Sequence, residues 1–579
     1  MLNIEDAIQE KFPSFEQRSP WVKRPTIGLL RKLSHEQEVN HFLDIHQDLK
    51  GFDFIDQVLE YFNFSYAVSH HDKANIPATG RVVIVANHPL GALDGLCLLK
   101  LVGEVRRDVK IIANDMLLKF DALASLFHPV DNLSKSTHKS NVAAIVDSLK
   151  NDEAIIVFPA GEVSRMRPNG VRDGKWNKGF LKFAQKTLSP ILPIHISARN
   201  SSLFYGCSMV YKPLSGMLLA HEIFNKNKKT IQMQVGKLLP YQQLEQLPLI
   251  KSEKVKLLRR HLYGIAKGKR SLFVTEKTIV HPQDRAVVKK ELQQGELLGE
   301  THDGKKIILF DFQSDSTVMH EIGRLREISF RQVGEGTGKG RDLDRYDRDC
   351  RHLILWDEDE LEIAGAYRIA EVSRLLKQAD SRGIYSQTLF NYDNDKMQPY
   401  FEQGIELGRS FVNPKYWGKR SLDYLWYGIG AYLQRYPEIR YLFGPVSLSN
   451  TYPDLAKALI TCFYQHYFPD NEGLAKACFP YQPTAAEQAN VDSILQGEDY
   501  KTDFVALRQQ LSNMNVTVPT LYKQYADVCE ASGIRFIDFN IDADFGYCID
   551  GLVMVDLHSL KPAKRNRYLG KELLPLSNE

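Results

Sequence analysis

Short apolar segments alternate with amphipathic stretches over residues 81–240. The predicted strands are RVVIVA, VKIIAN, AIIVFPA, SPILPIHI and IQMQVGKLL, and helices are predicted near residues 93–103, 116–127, 138–150 and 177–187. Residues 1–80 have a helical pattern instead, in LLRKL and in the 41–62 stretch. Strands that alternate with helices build a layered α/β domain, so we predict such a domain with sites at the strand ends.

A second α/β pattern begins at Ile307, after a basic helical tract (241–273) and a polar, weakly patterned segment. The predicted strands are KIILFDF, HLILWD, EIAGAYRIA, IELGRSFV, RYLFGPVSL, IRFIDFN and GLVMVDL, with helices over MHEIGRLREISFRQV and SLDYLWYGIGAYLQRY. The two halves share no motif, which argues against an internal repeat. We therefore predict two fused α/β domains, 1–280 and 281–579.

Composition supports this division and excludes some classes. A chain of 579 residues exceeds what one hydrophobic core organises, and 43% hydrophobic with 25% charged residues is typical of globular proteins. A net charge of +3 is too small to indicate nucleic-acid binding. The seven cysteines are scattered without a CxxC spacing, which indicates reduced thiols and no metal site.

Membrane insertion is not predicted. The N-terminus MLNIEDAIQEKF carries acids where a signal peptide needs a basic stretch and an apolar core. No apolar run approaches the roughly 18–20 residues needed to cross a bilayer. We expect a cytoplasmic protein that does not span the membrane, while contact with its surface stays possible.

Polar side chains follow the first strand of the N-terminal half. Asn87, His88 and Pro89 end the RVVIVA segment, and Asp94 comes six residues after the histidine. A carboxylate that binds one ring nitrogen leaves the other free to accept a hydroxyl proton, as in a His–Asp dyad. Alternatively, NHP is a strand-ending turn and Asp94 caps the next helix.

A second polar segment, FPAGEVSR (158–165), follows the AIIVFPA strand. Gly161 permits close backbone approach, and Glu162, Ser164 and Arg165 place polar groups at the same predicted sheet edge. The cationic tract RMRPNGVRDGKWNKG comes next and suits an anionic ligand. Taken alone, this tract is equally an ordinary solvated loop.

NHPLGALD, FPAGEVSR and SPILPIHI, in this order over residues 70–240, resemble the three blocks of the glycerolipid and lysophospholipid acyltransferase family. The resemblance implies that His88 is the general base, that Asp94 orients it, and that Asn87, Gly161, Glu162, Ser164 and Arg165 bind the acceptor. Two departures, the six-residue His–Asp spacing and Ala160 in place of glutamate, look like the branch that acylates lyso-ornithine lipid.

The C-terminal half contains three glycine-rich or basic segments that have features of phosphate-binding loops. GEGTGKG (334–340) lacks the Ser or Thr and the preceding strand of a phosphate loop. RQVGEG (331–336) fits the R-x-x-G-x-G pattern that binds pyrophosphate, but it follows a helix, so we do not select it. A better pantetheine-binding candidate is NPKYWGKR (413–420), where a strand leads into a helix N-terminus. Its candidate residues are Lys415, Gly418, Lys419 and Arg420; otherwise it is a plain basic helix entry.

Residues 300–560 resemble the ornithine N-acyltransferase family, which has a GNAT fold on the branch of the acyl-homoserine-lactone synthases. The marks are Arg326 with Phe330, the acidic run Asp342, Asp344 and Asp347, Arg368 in GAYR, Glu406 with Arg409 in ELGR, and the late segment DADFGYCIDGLVMVDL. The tryptophan that lactone synthases carry after the first mark is absent, which argues against a lactone product.

This second resemblance implies an amine acylated by a thioester in near-attack geometry. Glu406 is the candidate base, the Asp342–Asp347 run would hold a cationic amino acid, and Arg326, Arg368 and Arg409 would orient the acyl carrier or the substrate carboxylate. The implied fold is thus a glycerolipid-acyltransferase-like α/β domain followed by a GNAT-like α/β domain.

Together the resemblances imply a pathway in two steps. The C-terminal domain would transfer a 3-hydroxyacyl chain from acyl carrier protein to ornithine, and the N-terminal domain would esterify the 3-hydroxyl of the resulting lyso-ornithine lipid. Acyl-carrier thioesters would be co-substrates, and no bound cofactor is implied. Basic Lys254–Arg270 would dock the acidic carrier, or this tract or PWVKRPTIGLLRKL would contact the inner face of the cytoplasmic membrane.

The sequence leaves other hypotheses for the acceptors and for the class of protein open. The first domain could acylate lysophosphatidic acid, and the amino acid could be lysine, glycine or glutamine. A membrane-lytic protein is a rival from another class, but it predicts secretion and a long inserting segment, and the sequence indicates neither.

Overall fold

Two α/β units make up the chain in the computed structural model, Met1–His281 and Pro282–Glu579. The structure describes residues 5, 20–113, 121–129, 139–210, 218–219, 221–225, 229–378, 381 and 383–570. The sequence placed the boundary near residue 281. Within the described residues no helix combines the length and apolarity needed to cross a bilayer.

Parallel strands form the centre of the N-terminal unit. Its seven-stranded sheet has the order β1-β9-β8-β2-β5-β3-β4. The strands are β1 (Ser65–Ala67), β2 (Val82–Ala86), β3 (Val109–Ala113), β4 (Phe127–Pro129), β5 (Ala154–Val157), β8 (Ile191–Ser197) and β9 (Thr230–Val235). Every residue of β2 and β5 is buried, because helices cover both faces of this part of the sheet.

A short hairpin, β6 (Arg165–Arg167) and β7 (Gly170–Arg172), stands apart from that sheet. The described helices of the unit are α1 (Pro20–Leu33), α2 (Glu36–Ile45), α3 (Gly51–Tyr61), α4 (His70–Lys73), α5 (Ala92–Gly103), α6 (Lys139–Lys150), α7 (Gly179–Thr187), α8 (Ser202–Val210), α9 (Tyr241–Glu245) and α10 (Lys251–Ile265). The predicted strands and the helices near 93–103, 138–150 and 177–187 are confirmed.

Two helix predictions need correction. The 41–62 stretch forms two helices, α2 and α3, separated by residues 46–50, with Gly51 in the left-handed region at φ 59°. Of the helix predicted near 116–127, residues 114–120 lie outside the described part. Asp121–Leu126 is a 3₁₀ turn and Phe127 begins β4, so the apolar pattern there belongs to a buried turn and a strand.

The C-terminal unit is built on an eight-stranded sheet with the order β10-β11-β12-β13-β15-β16-β19-β18. These strands are β10 (Glu296–Glu300), β11 (Lys305–Asp311), β12 (Arg351–Asp357), β13 (Glu362–Glu371), β15 (Gly404–Val412), β16 (Tyr441–Leu448), β18 (Ile534–Asp542) and β19 (Cys548–Asp556), with β14 (Phe390–Tyr392) and β17 (Ala475–Ala477) paired separately. All strands predicted for this half are confirmed.

Helices pack on both sides of this second sheet. They are α11 (Arg285–Leu292), α12 (Thr317–Gln332), α13 (Val372–Lys377), α14 (Asn394–Glu402), α15 (Ser421–Arg435), α16 (Asp454–Tyr467), α17 (Ala485–Ile494), α18 (Tyr500–Asn513), α19 (Thr520–Val528) and α20 (Pro562–Tyr568). Both predicted helices, α12 and α15, are confirmed. Helices α16 to α19 form an added layer for which the sequence analysis had no prediction.

The sheet of the C-terminal unit opens in its middle. Strands β15 and β16 are its parallel pair, and they pair only over Gly404–Glu406 and Tyr441–Phe443. Beyond that point β15 continues beside β13 while β16 continues beside β19. The recorded pairing of the two strands therefore ends at Glu406 and Phe443, and we call the region beyond that point the β15–β16 cleft.

Candidate active sites

His88 and Asp94 are in contact at the carboxyl edge of the N-terminal sheet. The loop after β2 delivers His88, and the first turn of α5 delivers Asp94, with His88 Nδ1 and Asp94 Oδ1 2.9 Å apart. The second oxygen of Asp94 accepts a 2.7 Å hydrogen bond from the Leu90 N–H, which fixes the fully buried carboxylate. The predicted contact is therefore present. His88 Nδ1 and Asp94 Oδ1 are close to each other, but they are not aligned as a linear hydrogen bond. Catalytic hydrogen bonds often reach full alignment only when substrate is bound.

The imidazole of His88 is held in one orientation. Its ring stacks on Phe158 with the centroids 3.9 Å apart, and the backbone N–H of His88 donates to Asp173 Oδ1 at 3.2 Å. Burial lowers the pKa of His88, but the negative charge of Asp94 more than offsets this, so the pKa lies above its ordinary value. The raised pKa makes the ring a stronger proton acceptor.

Asp173 is the residue of this site that the sequence analysis missed. Its side chain is fully buried and accepts from the Ser164 hydroxyl (2.6 Å) and Trp176 Nε1 (2.8 Å) as well as from the His88 backbone. One carboxylate therefore ties the His88 loop to the segment after β5. Asp173 lies within the cationic tract RMRPNGVRDGKWNKG, whose positive charges gave the only signal taken from that segment.

The predicted acceptor residues of this half fall into two groups. Asn87 and Ser164 are buried and engaged inside the protein: Asn87 exchanges two hydrogen bonds with Ile196 of β8, and the Ser164 N–H donates to the His88 carbonyl at 2.7 Å. Their contacts indicate support of the loops instead of the expected substrate contact.

Gly161, Glu162 and Arg165 keep more exposure. Gly161 has φ 67°, a conformation that favours glycine, and it lines the same cavity as His88. Arg165 lies with its Nε 3.5 Å from Glu162 and donates to the Ser208 hydroxyl. These three residues stay candidates for acceptor binding.

A large apolar cavity opens beside the histidine. Its volume is about 900 Å³, and His88 and Phe158 form part of its wall. The remaining lining is mostly aliphatic and aromatic, including Phe42, Phe54, Val58, Leu96, Leu99 and Ile111. Such a cavity excludes water and favours a hydrocarbon chain, since burial contributes about 0.8 kcal/mol for each methylene.

In the C-terminal unit, three arginines and three aspartates form a buried ion network. Arg326 Nη1 lies 2.7 Å from Asp347 Oδ1. Arg368 Nη1 lies 2.7 Å from Asp344 Oδ1 and 3.3 Å from Asp347 Oδ1. Arg409 lies 3.4 Å from Asp342 and 3.3 Å from Asp344. The sequence-predicted residues are thus brought together, but their charges are directed at one another. That the aspartates hold a cationic amino acid stays a prediction.

The pairing shifts the titration of this network. Burial works to raise the pKa of Asp347, but the charges of Arg326 and Arg368 outweigh it and hold the pKa well below its usual range. Asp342 differs: burial raises its pKa despite the opposing charges of Arg409 and Arg326. A network of this kind positions the cleft and its arginines.

We expect Arg326→Ala to lower the free energy of unfolding by about 3–5 kcal/mol, because it leaves the charge of Asp347 buried without its main partner. Denaturant titration of the whole chain measures the change. The control is Arg348→Ala, an exposed neighbour, for which we expect a change within about 0.5 kcal/mol. Equal effects of the two substitutions would contradict the structural role.

Arg409 has an unusual backbone. It lies on β15 with φ 47°, where the register against β13 shifts between Ala366 and Arg368. A bulge turns a side chain away from its regular direction. Here the guanidinium lies over the rings of Tyr385 (4.4 Å) and Phe545 (5.0 Å), at the open end of the β15–β16 cleft.

Glu406 is placed differently from the expectation. It lies at the end of the parallel pairing, is 3% exposed, and accepts from the backbone N–H groups of Tyr385 (3.1 Å) and Ser386 (2.9 Å) and from the Ser386 hydroxyl. Burial raises its pKa although the hydrogen bonds of Ser386 oppose this. With its oxygens occupied, Glu406 anchors the 385–388 turn, and its geometry favours that role over general base.

A second acidic group faces the same cleft and was not selected from the sequence. Asp550 on β19 is 2% exposed and accepts from the Ser447 hydroxyl of β16 at 2.6 Å. Burial raises its pKa to about 6, helped by repulsion from Asp542, and burial raises the pKa of nearby Glu335 to about 8, helped by Asp550. Tyr385 donates to Asp542 at 3.1 Å.

Cross-strand register places the polar members of this group on one face of the sheet. Ser447 and Asn540 are both direct partners of Asp550, on either side of it. Asn540 is fully buried, and its amide nitrogen has no hydrogen-bond partner in the described chain. A carboxylate interrupting the apolar run of β19 was the signal in the sequence, and it lies within DADFGYCIDGLVMVDL.

The predicted pantetheine loop has the expected backbone and a different charge balance. It joins β15 to α15, and Gly418 has φ 75°. Lys415 is paired with Glu360 and Glu362, each at 2.6 Å, so its charge is already balanced. Lys419 lies over the ring of Tyr416 at 5.0 Å. Gly418, Lys419 and Arg420 remain the better candidates for contact with an anion.

The fold and the two sites define a pair of acyl-transfer domains. Residues 7–271 match the family model described as acyltransferase, and residues 325–427 match the acetyltransferase (GNAT) domain. The chain is an acyltransferase with an N-terminal acyltransferase domain and a C-terminal GNAT domain.

Three relatives are similar to parts of the chain at 28–30% identity. A glycine N(alpha)-acyltransferase of Bacteroides thetaiotaomicron is 28% identical over 305 residues, 50% of this chain and 89% of that protein. A lyso-glycine lipid O-acyltransferase of the same organism is 29% identical over 249 residues, 42% of this chain and 89% of that protein. An L-ornithine N(alpha)-acyltransferase of Brucella abortus is 30% identical over 186 residues, 27% and 64% of the two chains.

Proposed function

We propose that the chain makes a diacylated aminolipid by two successive transfers. The GNAT domain acylates the α-amine of ornithine with a 3-hydroxyacyl chain, and the N-terminal domain then esterifies the 3-hydroxyl of the lyso-lipid. The observation that carries the proposal is the His88–Asp94 pair opening on a 900 Å³ apolar cavity. The names of the relatives, which include an amino-acid N-acyltransferase and a lyso-aminolipid O-acyltransferase, support the pairing.

The esterification follows from the geometry of the first site. With Nδ1 facing Asp94, the Nε2 atom of His88 accepts the proton of the lipid hydroxyl. The hydroxyl oxygen then bonds to the acyl carbon, the carbon–sulfur bond breaks, and the thiolate leaves with the proton returned by the imidazolium. Asp94 stabilises the imidazolium charge between these two proton transfers.

The amide-forming step takes place at the open strands β15 and β16. The ammonium group of the amino acid is attracted to Asp542 and Asp550, and Asp550 takes the proton whose loss makes the amine nucleophilic. The nitrogen then bonds to the thioester carbon, the carbon–sulfur bond breaks, and the leaving thiolate takes up the proton that the nitrogen loses as the amide forms. Arg409, directed into the cleft by the bulge, is placed to bind the carboxylate of the amino acid.

Ornithine is the amino acid that the charges favour. Two carboxyl groups outside the ion network, Asp542 and Asp550, supply negative charge to the cleft once Asp550 is ionised above a pH of about 6, which suits a substrate with two ammonium groups. Glycine is the second candidate, because a glycine N(alpha)-acyltransferase matches over 305 residues. Glycine has no side-chain cation and would leave part of this charge without a partner.

The experiment that separates these acceptors is expression in a host without aminolipids, with isotope-labelled ornithine or glycine supplied in turn. Mass spectrometry of the extracted lipids identifies the head group. We expect the ornithine label in both a monoacyl and a diacyl lipid. If the lipids carried only the glycine label, the acceptor would be glycine instead of ornithine. The absence of any labelled lipid would overturn the proposed function.

We further propose acyl carrier protein as the donor and the inner face of the cytoplasmic membrane as the place of action. Both substrates of the second step carry long acyl chains, which favours contact with a bilayer surface. The basic segment Lys254–Arg270 gives an acidic carrier a complementary surface.

Filling the cavity should shorten the chain added to oxygen. Val58 of α3 is half-buried and lines the cavity, so Val58→Trp reduces the space for the distal methylenes. We expect the ester-linked chain to become shorter by several carbons while the amide-linked chain keeps its length. Fatty-acid analysis after selective ester cleavage measures this. Val58→Ala is the control, and unchanged ester chains in Val58→Trp would separate the cavity from chain selection.

A further inference from the structure

A second cavity in the N-terminal unit has the opposite chemistry to the apolar one. It encloses about 440 Å³ between the last turns of α10, the turn that follows the helix, and Arg172 of β7. Seven of its lining side chains are arginine or lysine, and no carboxylate is among the described residues that line it. So many cations around one concave site repel each other unless an anion occupies it.

Few of these charges have a counter-charge in the protein. Lys256 is paired with Glu253 at 2.8 Å, and Arg172 lies over the ring of Tyr263 at 5.0 Å. By contrast, Arg260, Lys267, Lys269 and Arg270 have no carboxylate at ion-pair distance in the described parts of the chain. Four unbalanced cations give the pocket its capacity for a doubly charged anion.

A buried histidine lies in the wall of this pocket with an unused donor. His261 is 5% exposed, its Nδ1 accepts from the Leu272 N–H at 3.5 Å, and its Nε2 has no partner. Burial lowers the pKa of His261, so the ring is neutral and its Nε2 carries the proton. A buried N–H without a partner is costly, which marks His261 as an unsatisfied polar group in the wall of the pocket.

The pocket is joined to the catalytic loop through Asp173. Arg259 donates to the Asp173 carbonyl at 2.5 Å, and the Asp173 N–H donates to the Tyr263 hydroxyl at 2.8 Å. The carboxylate of the same aspartate accepts from the His88 N–H. The cationic pocket and the dyad therefore lie on two sides of one residue.

We propose that this pocket binds the phosphate of the pantetheine-linked thioester that donates the acyl chain at His88. The inference rests on the proposed O-acyl transfer and adds the part of the donor that is recognised. Guanidinium and ammonium groups bind phosphate by short charge-assisted hydrogen bonds, and a 440 Å³ pocket accommodates more than a bare phosphate. A flat lipid surface would contact the exposed side chains of Arg260, Lys267, Lys269 and Arg270 but would not reach the buried His261.

The test compares two donors that differ only in the phosphate, acyl-pantetheine and acyl-4′-phosphopantetheine, with lyso-lipid as acceptor. We expect the wild-type chain to have a kcat/KM at least tenfold higher for the phosphorylated donor, mainly through KM. The triple variant Arg260→Ala, Lys269→Ala, Arg270→Ala should lose that preference, because its kcat/KM with the phosphorylated donor falls to the value that it has with acyl-pantetheine. Lys150→Ala, an exposed cation of α6, is the control and should keep the preference.

The same assay with acyl-CoA and with acyl carrier protein as donors identifies the source of the phosphate. The triple variant should have a lower O-acylation rate than the wild type with each donor whose phosphate binds in the pocket. Equal use of both pantetheine donors by the wild type would overturn this inference and leave the O-transfer intact. A variant that loses only its binding to anionic phospholipid vesicles would assign the pocket to lipid and also overturn it. Wild-type failure with every donor would overturn the proposed function as well.

Discussion

His88→Ala should accumulate the monoacylated lipid and stop the formation of the diacylated one. Under the proposed function the histidine accepts the hydroxyl proton, and a positioned general base contributes about 10²–10⁴-fold to such a step. N-acylation uses the other domain and should continue. Lipid extracts from a host without aminolipids, analysed by mass spectrometry, measure the ratio of the two products.

Two further variants make this result specific. Asp94→Asn should also lower the ester yield strongly, because the amide no longer fixes the tautomer or the imidazolium charge of His88. His71→Ala removes an exposed histidine and should leave both lipids unchanged. A normal amount of diacylated lipid from His88→Ala would falsify the assignment of the dyad.

Asp550→Asn should remove both lipids, since without the amide there is no acceptor for the ester. We expect N-acylation to fall by about 10²–10⁴-fold, the usual contribution of a general base. The pH profile gives an independent readout. Asp550 must be ionised to accept a proton, so wild-type N-acylation should decline as the pH falls through about 6. That limb should be absent in the residual activity of the variant.

Glu406→Gln distinguishes the two candidate bases. The glutamine side chain keeps the shape of Glu406 and an oxygen for the backbone of Ser386, so we expect less than a tenfold loss of N-acylation. Glu406→Ala leaves the 385–388 turn without its anchor and should lower both products together with stability. If Glu406→Gln abolished N-acylation while Asp550→Asn kept it, the base would be Glu406.

The sequence was most informative where chemistry and chain order coincide. His88 and Asp94 are six residues apart, a strand and a helix turn hold them, and their contact follows from local structure. Most strands were also predicted, because apolar runs of four to nine residues between turns have few alternatives. The three-residue strands β1 and β4 were missed, since so short a segment has no period of its own.

Residues that meet through tertiary structure could not be predicted in the same way. Asp550, Asp542 and Glu335 lie on three segments, and only the sheet register and the 334–336 loop place them in one cleft. The arginine and aspartate marks were correctly selected as a set. Their mutual pairing was not foreseen, because the hydrogen-bonded pairs of these opposite charges lie 21 to 65 residues apart and the sequence gives no sign of whether they face each other or a ligand.

The apolar cavity has a consequence for the bilayer itself. Under the proposed function its dimensions select one of the two hydrocarbon tails of a phosphorus-free lipid. The packing and melting behaviour of that lipid in the membrane would then depend on the size of a few side chains such as Val58 and Leu99. Substitutions there would alter membrane fluidity without any change in the head group, the donor or the reaction.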